Sequence, residues 1–215
     1  MSRQAIAGSQ LQRTGVVAVL RATNFADYGR VVDTLVDSGV TCVELTLTTP
    51  RTIEEFDTLR SQLPDNVELG IGTVTSVEQA NLAIDAGAQF LVTPVNRLGV
   101  VKAAVKREVP IFPGSMTPTE VFDSWEAGAT AVKLFPAATL KPDFIRQLRG
   151  PFPTLDALPS GGVALDDIGA WIRAGAVAVS LGGPLIGDAF TGGDLGALRA
   201  RAGEALSRVA EARAA

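Results

Sequence analysis

The chain has 215 residues, 47% of them hydrophobic and 20% charged, which is enough to bury one sizeable core. A net charge of −4 argues against a nucleic-acid partner. The histidine count is zero, so Ser-His-Asp and Cys-His mechanisms are excluded and a zinc site is not expected.

In chain order, a short helix over about residues 3–13 leads into a first strand, GVVAVLR, at 15–21. An amphipathic helix follows in FADYGRVVDTLVDS, with apolar residues three and four apart. The second strand lies in DSGVTCVELTL (37–47) and the third in VELGIGT (67–73), before a helix that begins at TSVEQA. The fourth lies in DAGAQFLVTPV (85–95) and the fifth in VPIFPG (109–114), before a helix from MTPTEVF. The sixth lies in EAGATAVKLFP (126–136) and the seventh in LDALPSGG (155–162), before a helix from ALDDIGA. The eighth lies in RAGAVAVSLGG (173–183), and the residues after 194 read as the final helix.

The even-numbered segments resemble one another. Each carries a glycine where a helix should close in the left-handed conformation, then a spacer and an apolar strand. These are Gly39, Gly87, Gly128 and Gly175, spaced 48, 41 and 47 residues apart, about two strand–helix units each. Eight strands alternating with helices in a repeating doublet predict a (β/α)₈ TIM barrel with a short N-terminal helix, as one domain over residues 1–215. A doubly wound open sheet is the competing arrangement. No apolar window of about 18 residues suits a membrane span, and the first residues lack the apolar core of a signal peptide. A cytoplasmic protein with no membrane partner is expected. The single cysteine, Cys42, beside the second strand, reads as a small buried hydrophobe.

Five residues after each repeat glycine stand Glu44, Val92, Lys133 and Ser180. In a barrel these would form one interior layer, with Glu44 and Lys133 facing each other. A buried ammonium or carboxylate is costly unless paired. The pair could be a plain internal ion pair, or the lysine could reach solvent along its stem. It could instead be chemistry. Burial favours a neutral amine, which adds to a carbonyl to form a Schiff base. A glutamate in an apolar site can move protons near neutrality. Lysine plus glutamate, without histidine or metal, is the inventory of an imine-forming aldolase that needs no cofactor. A Mg²⁺ site built from carboxylates stays open.

Small and polar residues gather at the carboxyl ends of the strands, where barrel sites form. They include Thr73, Pro94, Ser160, Gly161, Gly162, Gly182 and Gly183. The glycine pairs after the last two strands could approach a phosphate closely or could be ordinary turns. Thr73 could bind a carboxylate or cap the following helix. Arg21, at the end of the first strand, could hold an anionic substrate group or a surface ion pair.

These residues carry a resemblance. VAVLR, VELTL, GIGTVTSVEQA, VTP, FPGSMTPTE, VKLFPA, GPFP and PSGGV, in this order, resemble the 2-keto-3-deoxy-6-phosphogluconate (KDPG) aldolases, whose members often also cleave 4-hydroxy-2-oxoglutarate. The resemblance spans nearly the whole chain. It implies a class I aldolase on a (β/α)₈ barrel, acting on a small 2-keto-3-deoxy sugar acid and pyruvate, usually as a homotrimer. By that resemblance Lys133 matches the Schiff-base lysine and Glu44 the general acid–base. Thr73 matches a residue near the pyruvyl carboxylate and Pro94 a wall of that pocket. Gly161, Gly162, Gly182 and Gly183 match the phosphate loops. Two positions depart from it: Thr48 stands where many members have arginine, and Gly183 where many have serine. Arg21 could supply the missing charge. Both departures fall on the distal half of the substrate, which opens the galactonate epimer or an unphosphorylated sugar acid as alternatives. Another imine-forming pyruvate lyase, a non-catalytic sensor and a metal-dependent aldolase are the rival readings.

Overall fold

The computed structural model describes residues 9–215. The elements are α1 (Gln10–Thr14), β1 (Val16–Leu20), α2 (Tyr28–Asp37), β2 (Cys42–Thr46), α3 (Thr52–Arg60), β3 (Glu68–Gly72), α4 (Val77–Asp85), β4 (Leu91–Val92) and α5 (Leu98–Lys106). Then come β5 (Ile111–Phe112), β6 (Gly114–Ser115), α6 (Pro118–Glu126), β7 (Val132–Leu134), α7 (Asp143–Arg149), β8 (Ala157–Pro159), α8 (Ile168–Arg173), β9 (Val179–Leu181), α9 (Gly183–Ile186) and α10 (Leu195–Ala214). The expected N-terminal helix is present as α1; the part expected before residue 9 lies outside the described residues.

The four repeat glycines do what their positions predict. Gly39, Gly87, Gly128 and Gly175 have φ of 90°, 92°, 101° and 105°. In each case the next residue's N–H reaches back five positions, as in Val40 to Leu35 and Ala88 to Ala83. A left-handed residue turns the chain out of the helix and aims it into the following strand.

The fold is α/β with a curled, wholly parallel sheet. Strands pair in the order β5-β4-β3-β2-β1-β9 and, separately, β6-β7-β8. Within each sheet consecutive strands are neighbours, and β9 returns to β1, without the reversal of order that defines a doubly wound sheet. The expected fifth strand is split at Pro113, which has no N–H to give to a ladder. Its carbonyl still accepts from the Lys133 N–H at 2.9 Å. The Gly114 N–H turns aside to the Thr93 hydroxyl at 3.1 Å.

Strand alternation sorts the apolar side chains into two cores. The outer one lies between strands and helices and includes Leu20, Leu45, Ile71, Leu91, Ile111 and Leu134. The inner one comprises Leu11, Val17, Cys42, Phe90, Val92, Phe112, Ala131, Leu158 and Ala178. Leu11 comes from α1, which thereby closes the amino ends of the strands. Cys42 is fully buried there, and burial pushes its thiol well up. Among the described residues no helix is long and apolar enough to cross a membrane.

Candidate active site

The inner face changes character along the strands. Beyond Cys42 the same alternation brings Glu44 and Thr46 inward, and beyond Ala131 it brings Lys133. Glu44 is 1% exposed and Lys133 6%. Each side chain therefore sits in the interior layer that the repeat predicts.

The two are not clamped together. Among the described residues no carboxylate lies within 4.0 Å of the Lys133 ammonium. Its Nζ stands 5.1 Å from the centre of the Phe135 ring, a cation–π contact from two residues along the same face. Glu44 Oε2 is buried with no hydrogen-bond partner. A buried, unpartnered carboxylate oxygen is expensive to keep and calls for an explanation. Burial raises the Glu44 carboxyl above its ordinary value, while the Lys133 and Arg21 charges pull the other way.

Gly72 makes the room. A Cβ at that position would collide with the Glu44 carboxyl, which lies across the bare backbone of the neighbouring strand. A glycine inside a strand signals such a close approach, and the GIG of the third strand carried that signal in the sequence.

The other expected residues line the carboxyl ends. Arg21 follows β1, is exposed, and is near enough to act electrostatically on Glu44. Thr73 follows β3 with φ of 63°, a left-handed conformation rare for a β-branched residue. It does not cap the next helix; Ser76 does, accepting from the Gln79 N–H at 3.1 Å. Pro94 follows β4 and packs its backbone against Gly114. Ser160 is buried and donates to Ser180 Oγ at 3.1 Å. Gly161 and Gly162 both have positive φ, 82° and 81°, and a Cβ on either would strike Phe135 or Ala138. Gly182 and Gly183 begin the short α9, with open space around Gly183. The Ser160–Ser180 bridge brings the two glycine pairs side by side.

Gly72 was not singled out from the sequence, and no role was given there to Phe135 or to the Ser180 hydroxyl. Thr48 is exposed, with its hydroxyl 2.9 Å from that of Thr46, so a polar pair stands where the resemblance leads one to expect an arginine. No group of three or more Cys, Asp or Glu side chains among the described residues could hold a metal ion. A separate cavity of about 200 Å³ opens at the amino ends of the strands, lined by residues including Leu11, Cys42, Phe90 and Phe112. It lies on the far side of the inner core from the Glu44–Lys133 layer, and it carries none of the groups above.

A family model described as KDPG and KHG aldolase matches residues 7–198. A 2-dehydro-3-deoxy-6-phosphogalactonate aldolase of Escherichia coli K12 is 30% identical over 201 residues, 93% of this chain and 91% of the relative. A 2-dehydro-3-deoxy-phosphogluconate aldolase of Treponema pallidum (strain Nichols) is 34% identical over 163 residues, 75% of this chain and 77% of the relative. A solved structure described as native KDPGal superposes with a TM-score of 0.87 at 27% identity, covering 100% of both chains.

Proposed function

From the premise that the chain belongs to the KDPG and KHG aldolase family, and so is a carbon–carbon lyase, we propose that it cleaves KDPG reversibly to pyruvate and glyceraldehyde 3-phosphate through a Schiff base on Lys133. 4-Hydroxy-2-oxoglutarate is a second substrate in this reading. The observation that carries it is that Lys133 and Glu44 are both buried on the inner face, with Glu44 Oε2 unpartnered and, among the described residues, no carboxylate within 4.0 Å of the Lys133 ammonium.

The Lys133 amine adds to the 2-keto carbon, and water leaves to form an iminium, an electron sink. Glu44, through a water, takes the proton of the 4-hydroxyl. The bond between carbons 3 and 4 breaks, its electrons pass into the iminium, and the aldehyde leaves an enamine behind. Glu44 returns the proton to carbon 3, and hydrolysis frees pyruvate and the amine. The raised carboxyl of Glu44 suits a group that must both take and give a proton. Arg21 and Thr73 bind the anionic and carboxylate groups, and Pro94 walls the pyruvyl pocket. Ser160, Gly161, Gly162, Gly182 and Gly183 present backbone and hydroxyl donors to a phosphate. The scheme needs no cofactor.

The galactonate epimer of KDPG is the second reading. It is favoured by the 30% identity and 93% coverage shared with the phosphogalactonate aldolase, and by Thr48 at the distal end.

The two sheets are arcs of one (β/α)₈ barrel in a single domain. Residues 111–115 border both sheets, and isolated parallel bridges, Ala157–Ala176 and Ser160–Ser180, link the segments that carry β8 and β9, which supports closure. The assembly is a homotrimer in the cytoplasm. All six exposed large hydrophobics among the described residues lie between positions 77 and 122, at α4 to α6, which supports burial of that face against another copy. Light scattering should give three times the chain mass.

Trapping with pyruvate and borohydride tests the core of the reading. A reduced pyruvyl adduct on Lys133, located by peptide mass spectrometry, is expected. A clean Lys133 would reduce the Glu44–Lys133 layer to structure and overturn the scheme.

A further inference from the structure

One buried polar cluster has no part in the scheme above. Thr49, in the turn after β2, is 1% exposed, and Tyr28, at the start of α2, is 0% exposed. The Thr49 hydroxyl has one proton to give and two lone pairs to fill. It donates to the Ala22 carbonyl at 3.0 Å and accepts from the Ala22 N–H at 3.0 Å. It also accepts from the Tyr28 hydroxyl at 2.6 Å. Its capacity is fully used. The Tyr28 oxygen also lies 3.3 Å from the Leu20 carbonyl, which accepts from the Thr46 hydroxyl at 3.1 Å. Burial pushes the Tyr28 phenol up, against the pull of its hydrogen bonds. Its ring is fixed edge-on by Phe25 at 5.3 Å and Phe190 at 5.8 Å.

The bonds converge on Leu20 and Ala22, the two residues that flank Arg21. Its own side chain is exposed and makes no ion pair among the described residues. A long free side chain is aimed only as well as its backbone is held. The same turn carries Thr48, so one hydroxyl ties the two strand ends that frame the mouth.

We propose that Thr49 and Tyr28 are positioning residues that hold the Arg21 backbone so that its guanidinium meets an anionic group of the substrate. This rests on the reading of Arg21 as a substrate-binding residue. Thr49 touches no substrate; it acts through Arg21.

A double-mutant cycle tests it, on whichever of KDPG and its galactonate epimer the enzyme cleaves. Thr49→Val keeps the shape and removes all three bonds. KM should rise about tenfold while kcat stays within about twofold. Thr49→Ser should restore KM, because it keeps the hydroxyl. In an Arg21→Ala background, Thr49→Val should raise KM no further. An equal rise on both backgrounds would show that Thr49 acts independently of Arg21 and overturn the proposal, as would an unchanged KM in folded Thr49→Val. If that variant does not fold, Tyr28→Phe, which deletes one donor, takes its place in the same cycle. If Arg21→Ala alone leaves KM unchanged, the reading of Arg21 fails and this proposal fails with it, while trapping on Lys133 is untouched.

Discussion

The two ends of the inner face are built from the same strands and differ in what they hold. At the amino ends, Leu11, Val17, Cys42, Phe90 and Phe112 form a small apolar core. Two residues further along, Glu44 and Lys133 replace Cys42 and Ala131, and hydroxyls of Thr46, Ser160 and Ser180 appear. One end lowers the free energy of the fold by burying apolar surface. The other raises it, by keeping a carboxylate oxygen buried without a partner. The lesson is division of labour along one strand: the apolar half supplies the rigidity that lets the charged half stay unpaired, and so available to a substrate.

Changes that break this contrast should separate activity from stability. The largest effect is expected for Lys133→Met. Steady-state assays should find no turnover and borohydride no adduct, while the melting temperature holds or rises, because the variant removes a buried charge that no carboxylate pairs among the described residues. Retained turnover would end the imine scheme.

Glu44→Gln comes next. Turnover should fall by about 10²–10⁴-fold, as for loss of a general acid–base, with adduct formation on Lys133 retained. It should also show the cost of the site. Burial raises the Glu44 carboxyl above the 4.5 of a free glutamate. The folded state thus binds this proton more tightly than the unfolded state does. The resulting stability is complete below the unfolded value and is lost as pH rises through the folded one. Above that window Glu44→Gln should be more stable than the wild type in denaturant titrations, and the difference should shrink toward pH 4.5.

Gly72→Ala is a smaller, sharper probe. The new Cβ would meet the Glu44 carboxyl, so that group must move. A displaced acid–base should cost at least about tenfold in kcat, more than the accompanying change in melting temperature suggests. A variant with full kcat would mean that the placing of Glu44 across the Gly72 backbone is not needed.

The smallest effect on activity is expected at the amino end. Phe112→Leu should lower stability by about 1 kcal/mol in a chemical-denaturation curve through lost packing, with kcat within about twofold of wild type. A large loss of kcat there would mean that the two ends are coupled, and the contrast would fail.

Much of this was legible in the residue order because it rests on short-range rules. Gly39, Gly87, Gly128 and Gly175 announced helix ends because only glycine enters the left-handed region cheaply. Counting five residues on from each put Glu44 and Lys133 in one layer, because alternation along a strand is strict. The helix start expected at MTPTEVF is closed by a Thr117–Glu120 capping box at the head of α6. Other features have no short-range signal. Thr73 takes a left-handed conformation that its residue type disfavours, so its neighbours must impose it. Pro113 split a strand that reads as continuous, because the sequence shows a missing N–H but not which ladder needed it.

The sequence by itself determined the element order, the inward layers and the chemical inventory, one buried lysine and one buried glutamate with no histidine. Tertiary structure alone decided that these two charges stay apart, that Gly72 lies beneath Glu44, and that Thr49 clasps Ala22 from 27 residues away. The reason is physical. Periodicity and backbone preference act over a few residues and can be read along the chain. The partner of a buried polar group is chosen by whichever strands pack beside it, and that choice exists only once the chain has folded.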